Sequence, residues 1–431
     1  MKRIVSCCVS ILVACNILPA QPGIQKQDTF YLLKPDQVFD GEQMREGWWV
    51  VVKNDRILTT GGANSQPTAF PQNTIFRIVD LRGKTLLPGF IEGHSHLFLH
   101  PYNETDWSDQ VLEESRAERT ARAVNHAKAT LMAGFTTVRD LGTEGSEYDD
   151  AGLKTAIEKG IVPGPRMLVA TKAIVATGSY GPKSASADID FHKGAAEADG
   201  VAELTREIRT QIGKGADLIK LYADYRWGPA KQAAPTFTLE ELKKAVEVAG
   251  SSGRKVVVHA TTEEAMKRSI EAGVSSIEHG DDGTPELYVL MKQKGVALCP
   301  TLAATEAISQ YKGWKKGIDP EPDRVAKKRQ SFKYALAAGV TICMGGDVGV
   351  FAHGENVREM ELMAEYGMQP LEVLRSATSV NADVFGISTT TGRIKAGLFA
   401  DLVAVEGNPL SSIKQCRQVT WVMKGGVVVK Q

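Results

Sequence analysis

From Phe90 onward, short apolar runs that read as strands alternate with longer stretches that carry the period of amphipathic helices. This alternation constrains the fold more than any other feature. The strand-like runs begin at Phe90 and recur at Thr136–Arg139, Met167–Ala170, Asp217–Lys220, Val256–His259, Ser276–His279, Val296–Pro300 and Thr341–Asp347. Between them lie helical patterns such as Leu239–Ala249, Glu263–Ala272 and Arg324–Ala338. Strand and helix in strict alternation imply parallel strands joined by crossover helices, and eight such strands in one domain imply an α/β fold built as a (β/α)8 barrel. All strands of such a barrel open their carboxyl ends on one face, so residues remote in sequence meet in one pocket.

The strand ends carry chemistry. Gly93-His94-Ser95-His96 follows the apolar run Leu86-Leu87-Pro88-Gly89-Phe90-Ile91. In an extended strand, residues i and i+2 face the same side, so His94 and His96 point at one place and can share a metal. A lone His-x-His pair fits two polar residues decorating a strand end equally well. Lys220, His259, His279 and Asp347, however, each end another strand-like run. Four histidines, a lysine and an aspartate at strand ends of one barrel are hard to ascribe to chance.

The stretches Leu87–His96, Gly134–Asp140, Ile219–Tyr222, Gly346-Asp347 with His353-Gly354-Glu355-Asn356, and Ala377-Thr378 through Gly397–Val403 resemble the amidohydrolase superfamily. The likeness is to its imidazolonepropionase-like and Xaa-Pro dipeptidase-like branch, which includes fungal ochratoxin-hydrolysing amidases, and it covers nearly everything after the leader. The resemblance implies a TIM barrel beside a small β-sandwich and two divalent metal ions. It makes His94 and His96 ligands of the more buried ion, Lys220 the bridge, and His259 and His279 ligands of the second ion. Asp347 is implied both as a ligand of the first ion and as the catalytic proton carrier. The residue chemistry agrees: imidazole and carboxylate suit zinc, whereas an ammonium cannot bind a cation, so Lys220 serves only as a carbon dioxide-derived carbamate. Two such ions would supply hydroxide at neutral pH, with Asp347 accepting a proton and returning it to the departing amine.

At 431 residues the chain exceeds the roughly 250 of a bare barrel. Tyr31–Asp80 and Asp401–Val429 read as β-rich, the latter closing on a Gly425-Gly426 hairpin. The expected organisation is a secretory leader over 1–20, the N-terminal part of the β-sandwich over 21–85, the barrel over 86–397 and the C-terminal part of the sandwich over 398–431. Met1-Lys2-Arg3 and the apolar stretch Ile4–Ala14 form the leader, too short for a permanent membrane span, which points to export from a bacterial cytoplasm to a periplasmic or lipid-anchored location. Leu12-Val13-Ala14-Cys15 resembles a lipobox that would lipidate Cys15, while Leu18-Pro19-Ala20 resembles an ordinary cleavage site, and both remain open. Cys299, Cys343 and Cys416 are odd in number and widely spaced, so they read as buried apolar residues rather than a disulfide framework. Basic and acidic residues balance at 51 each and no basic run interleaves with aromatics, which argues against nucleic acid. A homo-oligomer is left open.

The partner is therefore a small-molecule substrate. Tyr222 shares a strand face with Lys220, and Arg226 follows on the adjoining loop, so the pair reads as a clamp for a substrate carboxylate; Arg226 pairing with Asp224 or another loop acid is the structural alternative. His353 is expected to contact substrate or to orient the site, with a merely structural role as the alternative, and Arg139 and Asp140 to form a structural ion pair or to support the site from behind. The leading reading is a binuclear metal-dependent amidohydrolase that cuts a dipeptide or an N-acyl amino acid. A cyclic amide, as in imidazolonepropionase, or a lactone is the alternative substrate. Outside enzymes, the alternative is a catalytically silent, metal-stabilised binding protein; such proteins lose ligands, and this chain keeps all six.

Overall fold

The computed structural model describes residues 28–431 except 63, 66, 68–74 and 183–187. The leader and Cys15 lie outside the described residues. The chain is an α/β protein. Phe90–Ser95, Phe135–Asp140 and Arg166–Val169 pair as one parallel sheet. Leu218–Tyr222, Lys255–Ala260, Ser276–His279 and Ala297–Cys299 pair in sequence order in a second parallel sheet, with Ile174–Val175 beside the first of them. An Asp217 N–H to Val169 carbonyl bond of 2.8 Å joins the two sheets at one side.

Alternation along these strands sorts side chains between two environments. Val256 and Val258 pack with Leu242, Ala245, Met266 and Ile270 of the surrounding helices, whereas Val257 packs with Leu141, Ala170 and Leu218 on the opposite face. His259, two residues beyond Val257, and Lys220, two beyond Leu218, inherit that inner face.

The run Thr341–Asp347, expected as a strand, is not one. It makes isolated parallel bridges at Ile342 with Leu298 and, just beyond it, at Val348 with Ser95. The cause is local: Gly345-Gly346 interrupts the apolar run and Asp347 takes a left-handed φ of 64°. Close approach demands the glycine, since a Cβ on Gly345 would stand 2.4 Å from the Cys299 sulfur and 2.7 Å from the His94 nitrogen. The segment still links its neighbours, with Cys343 N–H donating to Leu298 (2.8 Å), Gly93 N–H to Met344 (3.0 Å) and His96 N–H to Val348 (2.8 Å).

The chain ends meet in a single eight-stranded mixed sheet. Ile75–Pro88 lies at its centre, parallel to Thr29–Phe39 and antiparallel to Leu402–Glu406. The hairpin at Gly425 and Gly426 has φ of 53° and 73°, as a tight two-residue turn requires. Pro88 runs through Gly89 directly into Phe90–Ser95, so this sheet is covalently continuous with the strand that bears His94 and His96. Cys299, Cys343 and Cys416 are buried free thiols. No helix among the described residues is long and apolar enough to cross a membrane.

Candidate metal centre

His94, His96, His259, His279 and Asp347 line one cavity of about 200 Å³, together with Tyr222 and Arg226. The imidazoles form a continuous cluster, with ring centroids 5.3 Å apart for His94 and His96, 5.1 Å for His94 and His279, and 4.4 Å for His259 and His279. Asp347 Oδ1 stands 3.6 Å from His94 Nε2 and 3.4 Å from His96 Nε2. Ligand-type atoms of His94, His279 and Asp347 all lie within 4.8 Å of one another. Adjacent register explains the rest: Tyr222 pairs with His259, and Ala260 with His279.

Hydrogen bonds at the outer nitrogens leave the inner ones free for a cation. His94 Nδ1 is 2.9 Å from Glu278, and His96 Nδ1 is 2.9 Å from the Gly142 carbonyl, so a neutral ring at either site carries its proton there and presents a lone pair from Nε2. His259 is reversed, with Nε2 3.4 Å from Asp224 and Nδ1 left for the cavity. His279 Nδ1 is 2.8 Å from the Thr301 hydroxyl.

Lys220 is 1% exposed, and its Nζ has no hydrogen-bond partner. Burial lowers its pKa, and Arg139 adds to the effect. Burial also opposes the charge of Asp347, but His94, His96 and Lys220 outweigh it and hold the carboxyl at about 2. Burial depresses His94 to about 4, with Lys220 adding to it; His96 goes the other way, because Asp347 overcomes burial and lifts it to about 9. The donor set thus fits divalent cations: imidazole nitrogens, of which His96 would give up the proton that Asp347 stabilises when a cation takes its place, one ionised carboxylate and a buried amine without a hydrogen-bond partner.

Behind the cluster, Arg139 donates to Glu278 (2.8 Å) and to the Gly93 carbonyl (2.6 Å), and Glu278 in turn holds His94. The expected supporting role for Arg139 is met by Glu278 rather than Asp140, whose carboxylate accepts the Leu97 N–H at 2.8 Å. Glu92 is buried too. It accepts from His94 N–H (3.0 Å), Gly346 N–H (2.9 Å) and Asn356 (2.8 Å), which fixes the first ligand pair against Asp347.

His353 does not line the cavity and is corrected as a substrate contact. Its Nε2 bonds the Leu99 carbonyl at 3.0 Å and its ring stacks on His126 at 4.3 Å, because the loop after Asp347 turns it toward the helix Arg116–Met132. Asp224 does not take Arg226 as its partner; it is occupied by Thr261, Thr262 and His259. Arg226 lies beside the Tyr225 ring, 5.8 Å from its centroid. The Tyr222 hydroxyl is 3.3 Å from Glu144, a cavity carboxylate that sequence reasoning missed, together with Trp107 and Tyr180. The available signal was a glutamate between Gly142 and Gly145 just after a strand end.

A parallel α/β scaffold with four histidines and an aspartate lining one cavity, and a buried lysine on the strand beside His259, defines the class of the amidohydrolases. The sequence pattern of the Amidohydrolase family matches residues 85–429, and the chain belongs to that family. Ochratoxinase of Aspergillus niger is 30% identical over 419 residues, covering 91% of this chain and 84% of that protein. Imidazolonepropionase of Halobacterium salinarum is 23% identical over 383 residues, 83% of this chain and 85% of that one. Among solved structures, a Xaa-Pro dipeptidase with methionine bound in its active site superposes with a TM-score of 0.81 at 29% identity, covering 94% of this chain and all (100%) of the other. Family and relatives together support hydrolysis of amide bonds.

Proposed function

We propose that the protein is a binuclear, zinc-dependent hydrolase that cleaves the amide bond of a dipeptide or N-acyl amino acid bearing a free carboxylate. The observation that carries this reading is Lys220, a buried amine whose Nζ has no hydrogen-bond partner, lies 5.3 Å from the Tyr222 ring centroid, and is near enough to His94, His96, His279 and Asp347 to act on their charge states. An unpaired buried ammonium is costly, whereas a neutral amine that adds carbon dioxide and releases a proton becomes an anionic carbamate suited to bridge two cations. His94, His96 and Asp347 would hold one ion and His259 and His279 the other, with Lys220 between them. When bound, the ions would lower the pKa of water and polarise the substrate carbonyl. Asp347, kept ionised by the histidines, is placed to take the proton of the attacking water and hand it to the departing nitrogen. Arg226 would receive the substrate carboxylate; the Tyr222 hydroxyl, turned to Glu144, would brace that wall.

The same reading takes the two parallel sheets and the bridges at Ile342 and Val348 as one closed (β/α)8 barrel over 86–397, with the single eight-stranded sheet of the chain ends, in place of the expected β-sandwich, as a flanking domain. The test combines metal analysis with a screen of dipeptides and N-acyl amino acids, using protein supplied with ¹³C-bicarbonate. About two ions per chain, a ¹³C carbamate signal lost in Lys220→Ala, and turnover of an amide are expected. Fully active protein with one ion or none would sink the binuclear mechanism.

A further inference from the structure

We propose that Glu144 and the aromatic rings around it form a subsite for a protonated amine of the substrate. The inference deepens the amide-hydrolase reading and rests on it for taking this cavity as the substrate site. Glu144 lies in the loop after Phe135–Asp140, is 2% exposed, and adopts a left-handed φ of 48° that glutamate rarely takes. That backbone turns its carboxylate into the cavity wall.

Three side chains hold it there: Trp107 Nε1 donates at 3.0 Å, the Tyr180 hydroxyl donates to the same oxygen, and the Tyr222 hydroxyl reaches the other oxygen at 3.3 Å. All three donors are neutral, and among the described residues no basic side chain forms an ion pair with this carboxylate. Arg119, a buried guanidinium nearby, is spent on the carbonyls of Phe98, Thr143 and Glu144 itself. Neutral donors orient a carboxylate without cancelling its charge, and a carboxylate has about four acceptor sites, so one stays open. The other cavity acids are engaged: Asp281 pairs with Lys328, and Asp347 faces His94 and His96.

The walls beside Glu144 suit a cation as well. Tyr180 meets Trp107 edge-on at 5.1 Å and Tyr225 edge-on at 4.7 Å, and Tyr222 and Tyr225 stand 6.0 Å apart, so several π faces border one carboxylate. Arg226 and Arg324 line the same cavity and supply the opposite charge. A cavity with this polarity fits a zwitterion. The ammonium can be the N-terminus of a dipeptide or a basic side chain of an N-acylated substrate, and one experiment separates the two.

Calorimetry of the metal-loaded protein with n-butylammonium and its neutral isostere 1-butanol reads the subsite without catalysis. The amine is expected to bind at least tenfold tighter, with that preference erased in Glu144→Gln and cut several-fold in Tyr225→Leu, a variant that leaves the carboxylate and its donors in place. Equal affinities, no measurable amine binding, or a preference that survives Glu144→Gln, as coordination of the amine to a metal would, overturns the inference. Hydrolysis of Met-Pro, N-acetyl-Met-Pro and N-acetyl-Lys-Pro then identifies the source. Preference for the first assigns the N-terminal ammonium, and preference for the third over the second assigns a side-chain cation. If no amide is turned over while the amine still binds through Glu144, the hydrolase reading fails and the cation subsite stands.

Discussion

At the scale of single residues, the site separates side chains that face the cavity from those that hold them. Asp347 belongs to the first group, and its ionised state, favoured by His94 and His96, is what a proton carrier needs. Asp347→Asn is expected to keep the fold and lower kcat by at least about 10²-fold, the lower range for losing a positioned acid-base group. Steady-state kinetics beside a circular dichroism melt checks both halves, and near-normal turnover would move the proton transfer elsewhere. Arg226 makes a second prediction. A charge-assisted bond to a substrate carboxylate contributes about 1.5–3 kcal/mol, so amidating the C-terminus of a good dipeptide should lower kcat/KM by about one to two powers of ten. Arg226→Ala should reduce turnover of the free acid far more than of its amide. Equal turnover of acid and amide by the unmutated enzyme would favour a cyclic amide or lactone instead.

Among the elements, the junction between the Phe90–Ser95 strand and the Gly345-Gly346 segment is the tightest place near the site. A methyl at Gly345 meets the Cys299 sulfur and the His94 backbone nitrogen at 2.4 and 2.7 Å. Gly345→Ala is expected to cost about 1–3 kcal/mol, as overpacking does, and to weaken metal uptake by displacing His94 from Asp347. Gly250→Ala, with open space around its Cβ, serves as the control that leaves the melting midpoint unchanged or raised. An unshifted midpoint in Gly345→Ala would show that the seam is looser than its distances suggest. This junction also shows what sequence can reveal. The helix Glu263–Ala272 was legible to the residue because its signals are local: Thr262 caps the Ala265 N–H and Gly273 closes it at φ 82°. The strands carrying His94, Lys220, His259 and His279 were legible because alternation fixes the face of each side chain, although Lys220 sits at the middle of Leu218–Tyr222 rather than at its end. Thr341–Asp347 misled because its apolar run looks like a strand, while its glycines and the left-handed Asp347 answer to Cys299 and His94, contacts no local pattern encodes. Trp107, Glu144, Tyr180 and Tyr225 stayed hidden for the same reason, coming from separate loops with no shared period.

For the whole molecule, the decisive fact is how far apart in sequence the cavity's candidate ligands lie. His94 and Asp347 are held together through Glu92, which bonds the backbones of His94 and Gly346, while Arg139 and Glu278 tie the Phe135–Asp140 strand to His94. The unfolded chain has no preformed site, so a cation bound by these residues binds the folded state alone and its binding energy adds to folding. For one site the gain is about 4 kcal/mol when the free ion exceeds its Kd a thousandfold. Stripping the protein with a chelator is therefore expected to lower its melting midpoint, with zinc restoring it in a concentration-dependent way. His94→Ala should melt at the same temperature with and without zinc if His94 is indispensable to the tighter ion. The effect should reach the terminal sheet as well, because Ile75–Pro88 continues through Gly89 into the strand that carries His94 and His96. Hydrogen exchange should then show the Leu402–Glu406 ladder opening more often in the stripped protein. Equal exchange there, together with a midpoint indifferent to zinc, would mean that the cavity binds no ion strongly enough to matter to the fold.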